Sequence, residues 1–198
     1  MKIVDYASPN ITLEEWSAGR KTDLDVFEDQ IQGWVFDQVD TLLALPPHRR
    51  QHSGYALLAL VTPYFEMIAC YLEGRRPGER ESSKFLRQGL AVVLDTRASS
   101  DAINAFAKEV RNGIAHELMF RYVILHDGAA AYPSFGMVRE RLGNILAVDP
   151  YWLARVAHDH FRGYTTRIRH PQTDEDRRLG TNFASFIAVR KAPPPVRR

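Results

Sequence analysis

A nearly uncharged stretch, Tyr55 to Leu72, constrains the fold more than any other part of this chain. Its length approaches the ~20 residues that a helix needs to cross a bilayer. Glu66 and Pro63 argue against a membrane span, because a carboxylate at the centre of a bilayer is costly. A buried helix of a globular protein can instead supply Glu66 with a polar partner. We therefore interpret the stretch as the central core helix, and we expect no membrane partner.

Helical periodicity predicts further helices around this core helix. The first runs from Asp23 to Leu45, where Pro46-Pro47 would stop it, and Ser53 and Gly74 are expected to cap and end the core helix. The apolar residues that repeat with helical spacing in the first helix are Phe27, Ile31, Trp34, Val35, Val39 and Leu42. Trp34 is expected to pack within the protein and not to stack on bases. Three later helices are predicted over Glu79 to about Thr96, Ser100 to about Phe120, and Tyr151 to about Arg169. Asp149-Pro150 would open the last of these.

Two short β-favouring runs, Tyr122 to Leu125 and Asn144 to Val148, are separated by turns that contain Gly and Pro. The fold class is therefore predicted to be all-α, an antiparallel helical bundle with a small β-hairpin insertion between the fourth and last main helices. We divide the chain into an N-terminal arm (1–22), a helical domain (23–170) and a basic C-terminal part (171–198). That last part is expected to be a short helix and a frayed tail.

Charge is unevenly distributed along the 198 residues, although the net charge is only +2. Residues 1–45 carry three basic and nine acidic side chains, whereas residues 151–198 carry ten basic and four acidic ones. The two ends can attract each other within the fold or across a dimer. Alternatively, the basic end attracts the phosphate backbone of a nucleic acid. The arginines that would then bind nucleic acid are Arg155, Arg162, Arg167 and Arg169.

Composition and cysteine use narrow the class of protein. Hydrophobic residues make up 45% and charged residues 25% of the chain, as in ordinary globular domains. The N-terminal residues lack a secretory signal pattern, and the lone Cys70 cannot form an internal disulfide, so we expect a cytoplasmic protein. His158 and His160 diverge on a helix, and no phosphate-binding or dinucleotide-binding glycine motif is present. We therefore predict no metal site and no cofactor.

The hexapeptide Arg111 to His116 is the main candidate for chemistry, because it combines a permanent cation, an amide and a titratable imidazole. In a regular helix its Arg and His side chains would point about 140° apart, with Asn112 between them. Such a trio can hold one phosphate group without a metal. An ordinary solvent-exposed helix face, with Gly113 marking the helix end, explains the same residues. The apolar stripe that sets the orientation consists of Ile103, Phe106, Ala107, Val110 and Ile114, which turns Asn112 and His116 away from the core.

Arg111-Asn112-x-x-x-His116, placed late in a helical bundle after a long apolar helix, resembles the Arg-x4-His motif of the HEPN superfamily. The resemblance covers roughly residues 23–170 and implies an α-helical HEPN-like domain. Many members of that family are metal-independent endoribonucleases of toxin, defence or stress-response type, and commonly act as homodimers with both motifs in a shared cleft. In one toxin branch a tyrosine follows two residues after the histidine. Here Leu118 stands in its place, so nucleotidylation at that position is not expected.

The resemblance assigns catalytic roles to Arg111 and His116, with Asn112 as a supporting contact. A neutral imidazole can accept the proton of a ribose 2′-OH, whose oxygen attacks the adjacent phosphate, while a guanidinium stabilises the developing charge. Glu66 is a second supporting residue that could orient Arg111 or simply satisfy an ion pair within the bundle. The implied partners are a second copy, RNA, and an antitoxin or regulatory protein. The alternative is a non-catalytic helical interaction module that binds nucleic acid, nucleotide or a protein.

Overall fold

The computed structural model describes residues 5–117, 119–128, 130–141 and 143–191. Helices account for 66% of the described residues and are accompanied by a small three-stranded sheet, which confirms that the fold is mostly helical. The α-helices in chain order are α1 (Leu13–Ser17), α2 (Asp23–Ile31), α3 (Asp37–Leu43), α4 (Pro47–Arg50), α5 (Gly54–Glu73), α6 (Ser82–Leu94), α7 (Ser100–Ala105), α8 (Pro150–Arg169) and α9 (Asp174–Lys191).

Helix α5 lies at the centre of the fold, as its apolar sequence predicts, and packs against α6, α8 and α9. The α5–α6 crossing is close: a Cβ atom at Gly89 would lie 1.7 Å from the Phe65 carbonyl oxygen. Gly74 ends α5 with φ +68°, as predicted. The predicted side-chain cap is wrong, because the Ser53 hydroxyl donates to the Arg50 carbonyl instead of accepting from the first turn.

The same helix is long and apolar enough to cross a membrane when only length and composition are considered. In its most apolar stretch of 18 residues, 56% is buried inside the protein. Core helices of globular proteins pass the same test, because a helix enclosed by other helices is also apolar on all sides. The described residues contain no second helix of this kind.

The first long helix changes its pitch in the middle. Between α2 and α3, the segment Gln32–Phe36 is π-helical. Such a segment inserts an extra residue and rotates the following face of the helix. Phe36 is consequently fully buried, whereas Trp34, expected to pack within the protein, is 56% exposed. A Cβ atom at Gly33 would lie 2.6 Å from the Pro9 ring, so a glycine is needed where the N-terminal segment crosses this helix.

The sheet comprises β1 (Val123–Leu125), β2 (Phe135–Glu140) and β3 (Gly143–Val148) in the order β1-β3-β2. Both predicted strands exist, but they pair in parallel, so the predicted hairpin between them is wrong. The hairpin joins β2 and β3, and β2 was not expected from the sequence. Asp149 follows β3 and caps α8 as predicted, since its carboxylate accepts from the Tyr151 and Trp152 amides.

Helix α9 is longer than the short helix that the sequence predicts, and it spans eighteen residues. Its apolar side chains belong to the main hydrophobic core together with those of α5 and α8. The predicted tail, 192–198, lies outside the described residues, as do Leu118 and residues 1–4 of the predicted arm. The buried side chains of α9 are Asp176, Leu179, Phe183, Phe186 and Ile187.

Candidate functional site

The Arg111–His116 motif does not lie in a regular helix. After α7, the segments Phe106–Val110 and Gly113–Glu117 are both π-helical, and the Arg111 amide donates to the Phe106 carbonyl five residues earlier. The regular helix predicted through Phe120 is therefore wrong. A π-helical turn contains more residues than the 3.6 of an α-helical turn, so each residue turns the helix by a smaller angle. The angle between the Arg111 and His116 side chains is therefore smaller than the about 140° of a regular helix.

The burial of this segment matches the orientation that its periodicity predicts. Phe106 and Val110 are fully buried, whereas Asn112 and His116 are exposed to solvent. Arg111 is half-buried at the edge between the two faces. Solvent, a ligand or a partner can therefore reach the imidazole, the amide and one side of the guanidinium.

Arg111 is held in place by a short chain of hydrogen bonds. Its Nη2 donates to Ser82 Oγ at 2.9 Å, and Ser82 Oγ donates to Glu66 Oε2 at 2.7 Å. Its Nη1 donates to Asn112 Oδ1 at 3.3 Å. Glu66 is thus connected to Arg111, as one of the two sequence-based interpretations suggested, but through a serine that the sequence did not indicate. Serine is common at helix starts, so the sequence alone does not set Ser82 apart from other serines.

The guanidinium of Arg111 keeps its charge free of a direct carboxylate contact. Both of its hydrogen bonds go to neutral oxygen atoms, and within the described ranges it forms no ion pair. The charged side chains around the motif pair with one another instead, Lys108 with Glu109 and Arg121 with Glu117. The positive charge of Arg111 is therefore available to an anion.

Gly113 is not the end of the helix, since it begins the second π-helical segment and is buried. A Cβ atom there would lie 2.3 Å from the Met119 carbonyl oxygen and 2.8 Å from Phe120 Cδ1. The Phe120 ring in turn stacks on Tyr55 of α5, with ring centroids 5.0 Å apart. The chain after His116 therefore folds back against the motif and anchors it to the core helix.

Large apolar side chains are exposed just beyond the motif. Met119 is 64% exposed and Tyr122, which has φ +55°, is 61% exposed. The sequence placed Tyr122 in a strand, but the strand begins at the next residue. Exposed apolar side chains mark a binding surface where they form a contiguous patch.

The acidic and basic ends of the chain attract each other within the fold. Arg169 forms ion pairs with Asp25 and Glu28, and Lys191 forms one with Asp23 at 2.6 Å. Hydrogen bonds from the Thr22 backbone and from Arg169 hold the pKa of Asp25 at about 2. This arrangement matches the first of the two interpretations of the uneven charge.

The four arginines expected to bind nucleic acid therefore differ in their surroundings. Arg167 is paired with Glu175 and with Asp176, and its hydrogen bond holds the pKa of Asp176 far below the usual value. Arg155 and Arg162, seven residues apart on α8, are exposed. None of the four hydrogen-bonds to the motif in the part of the chain that the structure describes.

The two histidines of α8 contact different partners. His158 stacks on Phe36 at 4.3 Å, and its Nε2 lies 3.0 Å from the Gln32 side-chain oxygen. His160 Nδ1 lies 2.7 Å from the Tyr64 hydroxyl, and burial lowers the His160 pKa to about 4. Within residues 5–117, 119–128, 130–141 and 143–191, no cluster of three His, Cys, Asp or Glu could hold a metal ion.

Neither a protein-family model, nor a curated protein sequence, nor a solved structure matches this chain. The side chains of the site and their surroundings are therefore the basis for its function. Three features bear on that function: an exposed imidazole, an exposed amide, and a guanidinium that is anchored through a hydroxyl without losing its charge.

Proposed function

We propose that this chain is a HEPN-like endoribonuclease that cleaves RNA without a metal ion. In the proposed reaction, His116 accepts the proton of a ribose 2′-OH, and the 2′ oxygen attacks the adjacent phosphorus. The bond from phosphorus to the 5′ oxygen then breaks, which leaves a 2′,3′-cyclic phosphate and a 5′-hydroxyl. Arg111 and the Asn112 amide stabilise the charge that accumulates on the non-bridging oxygens.

The observation that carries this proposal is the anchoring of Arg111. The Ser82 hydroxyl and the Asn112 carbonyl oxygen hold its guanidinium, while its N–H groups that make no such bond can still donate to a phosphate. A direct ion pair with Glu66 would have compensated the charge that the reaction needs. The interposed serine transmits the orienting effect of the carboxylate without placing it against the guanidinium.

A second copy of the chain completes the proposed site. The 5′ oxygen that leaves must gain a proton, and one imidazole cannot be base and acid at the same moment. In a two-fold dimer the same surface patch contributes from both copies, so a second His116 can supply the proton. Met119 and Tyr122 expose apolar area beside the motif, which favours a protein contact there.

The test is cleavage of end-labelled RNA in EDTA by the wild-type chain and by His116→Ala, Arg111→Ala and Asn112→Ala. We expect no product from the first two and a reduced rate from the third, with far-UV circular dichroism and melting unchanged. His170→Ala and Arg139→Ala, which alter exposed residues outside the motif, are the matched controls and should cleave normally. RNA with a 2′-deoxyribose at the cleaved position should stay intact.

The products and the oligomer discriminate between the alternatives. A 5′-phosphate product, or cleavage that EDTA abolishes, would contradict the proposed chemistry. RNA that remains intact in the presence of folded homodimer would favour a non-catalytic interaction module. Sedimentation of wild type and Tyr122→Ser tests the dimer, and the variant is expected to shift the equilibrium toward the monomer.

A further inference from the structure

An apolar groove of about 530 Å³ lies beside α5, on the side where the π-helical segment turns Trp34 outward. Trp34 is more than half exposed although it sits in a helix whose neighbouring apolar residues are buried or half-buried. Tryptophan and arginine are the residues most enriched where proteins bind one another strongly. The groove, which we call the Trp34 groove, has apolar walls formed by Ile31, Trp34, Pro63, Met67 and Phe186.

Two arginines, Arg76 and Arg190, line the Trp34 groove and give it a positive charge. Their guanidinium groups donate to neutral oxygens, the Val189 carbonyl and the Tyr71 hydroxyl. In the described part of the chain neither forms an ion pair. Glu66 also lines the groove and keeps its negative charge, so the two arginines outweigh one carboxylate. The net character of the groove is apolar and cationic.

We infer that the Trp34 groove docks an apolar peptide segment of a partner protein that carries acidic side chains. Apolar side chains of that segment would cover Trp34, and its carboxylates would pair with Arg76 and Arg190. This inference does not depend on the proposed ribonuclease activity, since it concerns binding at another surface.

Charge argues against two occupants that the chain itself could provide, a second copy and residues 192–198. In a two-fold dimer centred on the Trp34 groove, the same patch meets itself, so the arginines of one copy would face those of the other. Residues 192–198 contain Arg197 and Arg198 and no acidic residue, so this segment has the same sign of charge as the groove. A foreign segment with acidic side chains avoids both conflicts.

A displayed library of short random peptides, selected on the full-length protein, tests the inference directly. We expect the enriched sequences to combine aromatic or aliphatic residues with Asp or Glu. A labelled peptide from that set should bind about tenfold more weakly to Trp34→Ala, by fluorescence anisotropy. Val92→Ala, which truncates another exposed apolar residue, is the matched control and should leave the affinity unchanged.

Charge reversal provides an independent arm of the experiment. The double variant Arg76→Glu and Arg190→Glu should lose affinity for the selected peptide, and a peptide with Lys in place of its acids should regain it. Arg178→Glu reverses an exposed arginine elsewhere and should have no effect. The inference is overturned if selection enriches no peptides or basic ones, or if affinity ignores Trp34. It is also overturned if Trp34 drives self-association, because a second copy would then occupy the groove. The same holds if the peptide binds only after deletion of residues 192–198, because that segment would then occupy it.

Discussion

Replacing Gly113 by alanine perturbs the contact that holds the motif against the core. The added Cβ would lie 2.3 Å from the Met119 carbonyl oxygen, which is a backbone atom and cannot rotate away. It would also lie 2.8 Å from the Phe120 ring, which is stacked on Tyr55. The chain after His116 must therefore move, or the helix that carries Arg111 must.

The expected loss follows from two opposing effects. Alanine is favoured over glycine inside a helix by about 1 kcal/mol, whereas overpacking of this kind costs about 1–3 kcal/mol. Gly163 of α8 provides the reference, because nothing lies within 4 Å of a Cβ atom built there. Gly163→Ala should therefore raise the free energy of unfolding by about 1 kcal/mol, and Gly113→Ala should leave it unchanged or lower it by up to about 2 kcal/mol.

Urea unfolding and thermal melting of both variants measure this difference. For a protein of this size, 1 kcal/mol corresponds to about 2–4 °C in Tm, so the two variants should differ by roughly 4–8 °C for a clash of about 2 kcal/mol. Under the proposed function, Gly113→Ala should also cleave RNA more slowly than Gly163→Ala. Equal stabilisation of both variants would refute the close approach of the Met119 backbone to Gly113.

Three further predictions concern the core, a buried histidine and the anchor of Arg111. Gly89→Ala should lower the free energy of unfolding by roughly 2 kcal/mol, since its Cβ would overlap the Phe65 carbonyl, and a stabilised variant in urea titration would contradict that crossing. Burial lowers the pKa of His160 to about 4, so between pH 6.5 and 4 only the unfolded state binds this proton and stability should fall by up to ~3 kcal/mol as the pH drops. Unfolding curves of His160→Gln should lose most of that slope. Ser82→Ala should slow RNA cleavage about tenfold, or ~1.4 kcal/mol, whereas neighbouring Ser83→Ala should not, and equal rates would remove Ser82 from the site.

Features that depend on local chemistry could be predicted from the sequence. Gly74 ends the core helix because a glycine takes the left-handed conformation at little cost, and Asp149 caps α8 with its own carboxylate. Trp34 could not be placed in this way. Its exposure depends on the π-helical segment Gln32–Phe36. Gly33 of that segment lies close to Pro9, and Phe36 stacks on His158. These partners are distant in sequence, so periodicity alone could not show that Trp34 is exposed.

The sheet illustrates the same limit. Strand β3 ends in buried residues and was recognised by its β-favouring sequence, but its two partners are chosen by the tertiary structure. Strand β2 contains Gly136 and ends with the charged residues Arg139 and Glu140, which weakens its β-strand signal in the sequence. Strand β2 forms by pairing with one edge of β3, while β1 pairs with the other. It could not be identified from the sequence, because the sequence does not show which segment pairs with which edge.

Arg111, Asn112 and His116 could be proposed from the sequence, because a motif and a helical stripe are both local patterns. Ser82 could not, since it reaches Arg111 from another helix. The contact through Ser82 gives Glu66 a place in two parts of the structure. Glu66 lines the Trp34 groove and also accepts the hydrogen bond that anchors Arg111 through Ser82. A partner that occupies the groove would contact one end of this chain of hydrogen bonds, and RNA in the proposed site would contact the other. The groove and the motif are therefore joined by two hydrogen bonds, from Arg111 to Ser82 and from Ser82 to Glu66.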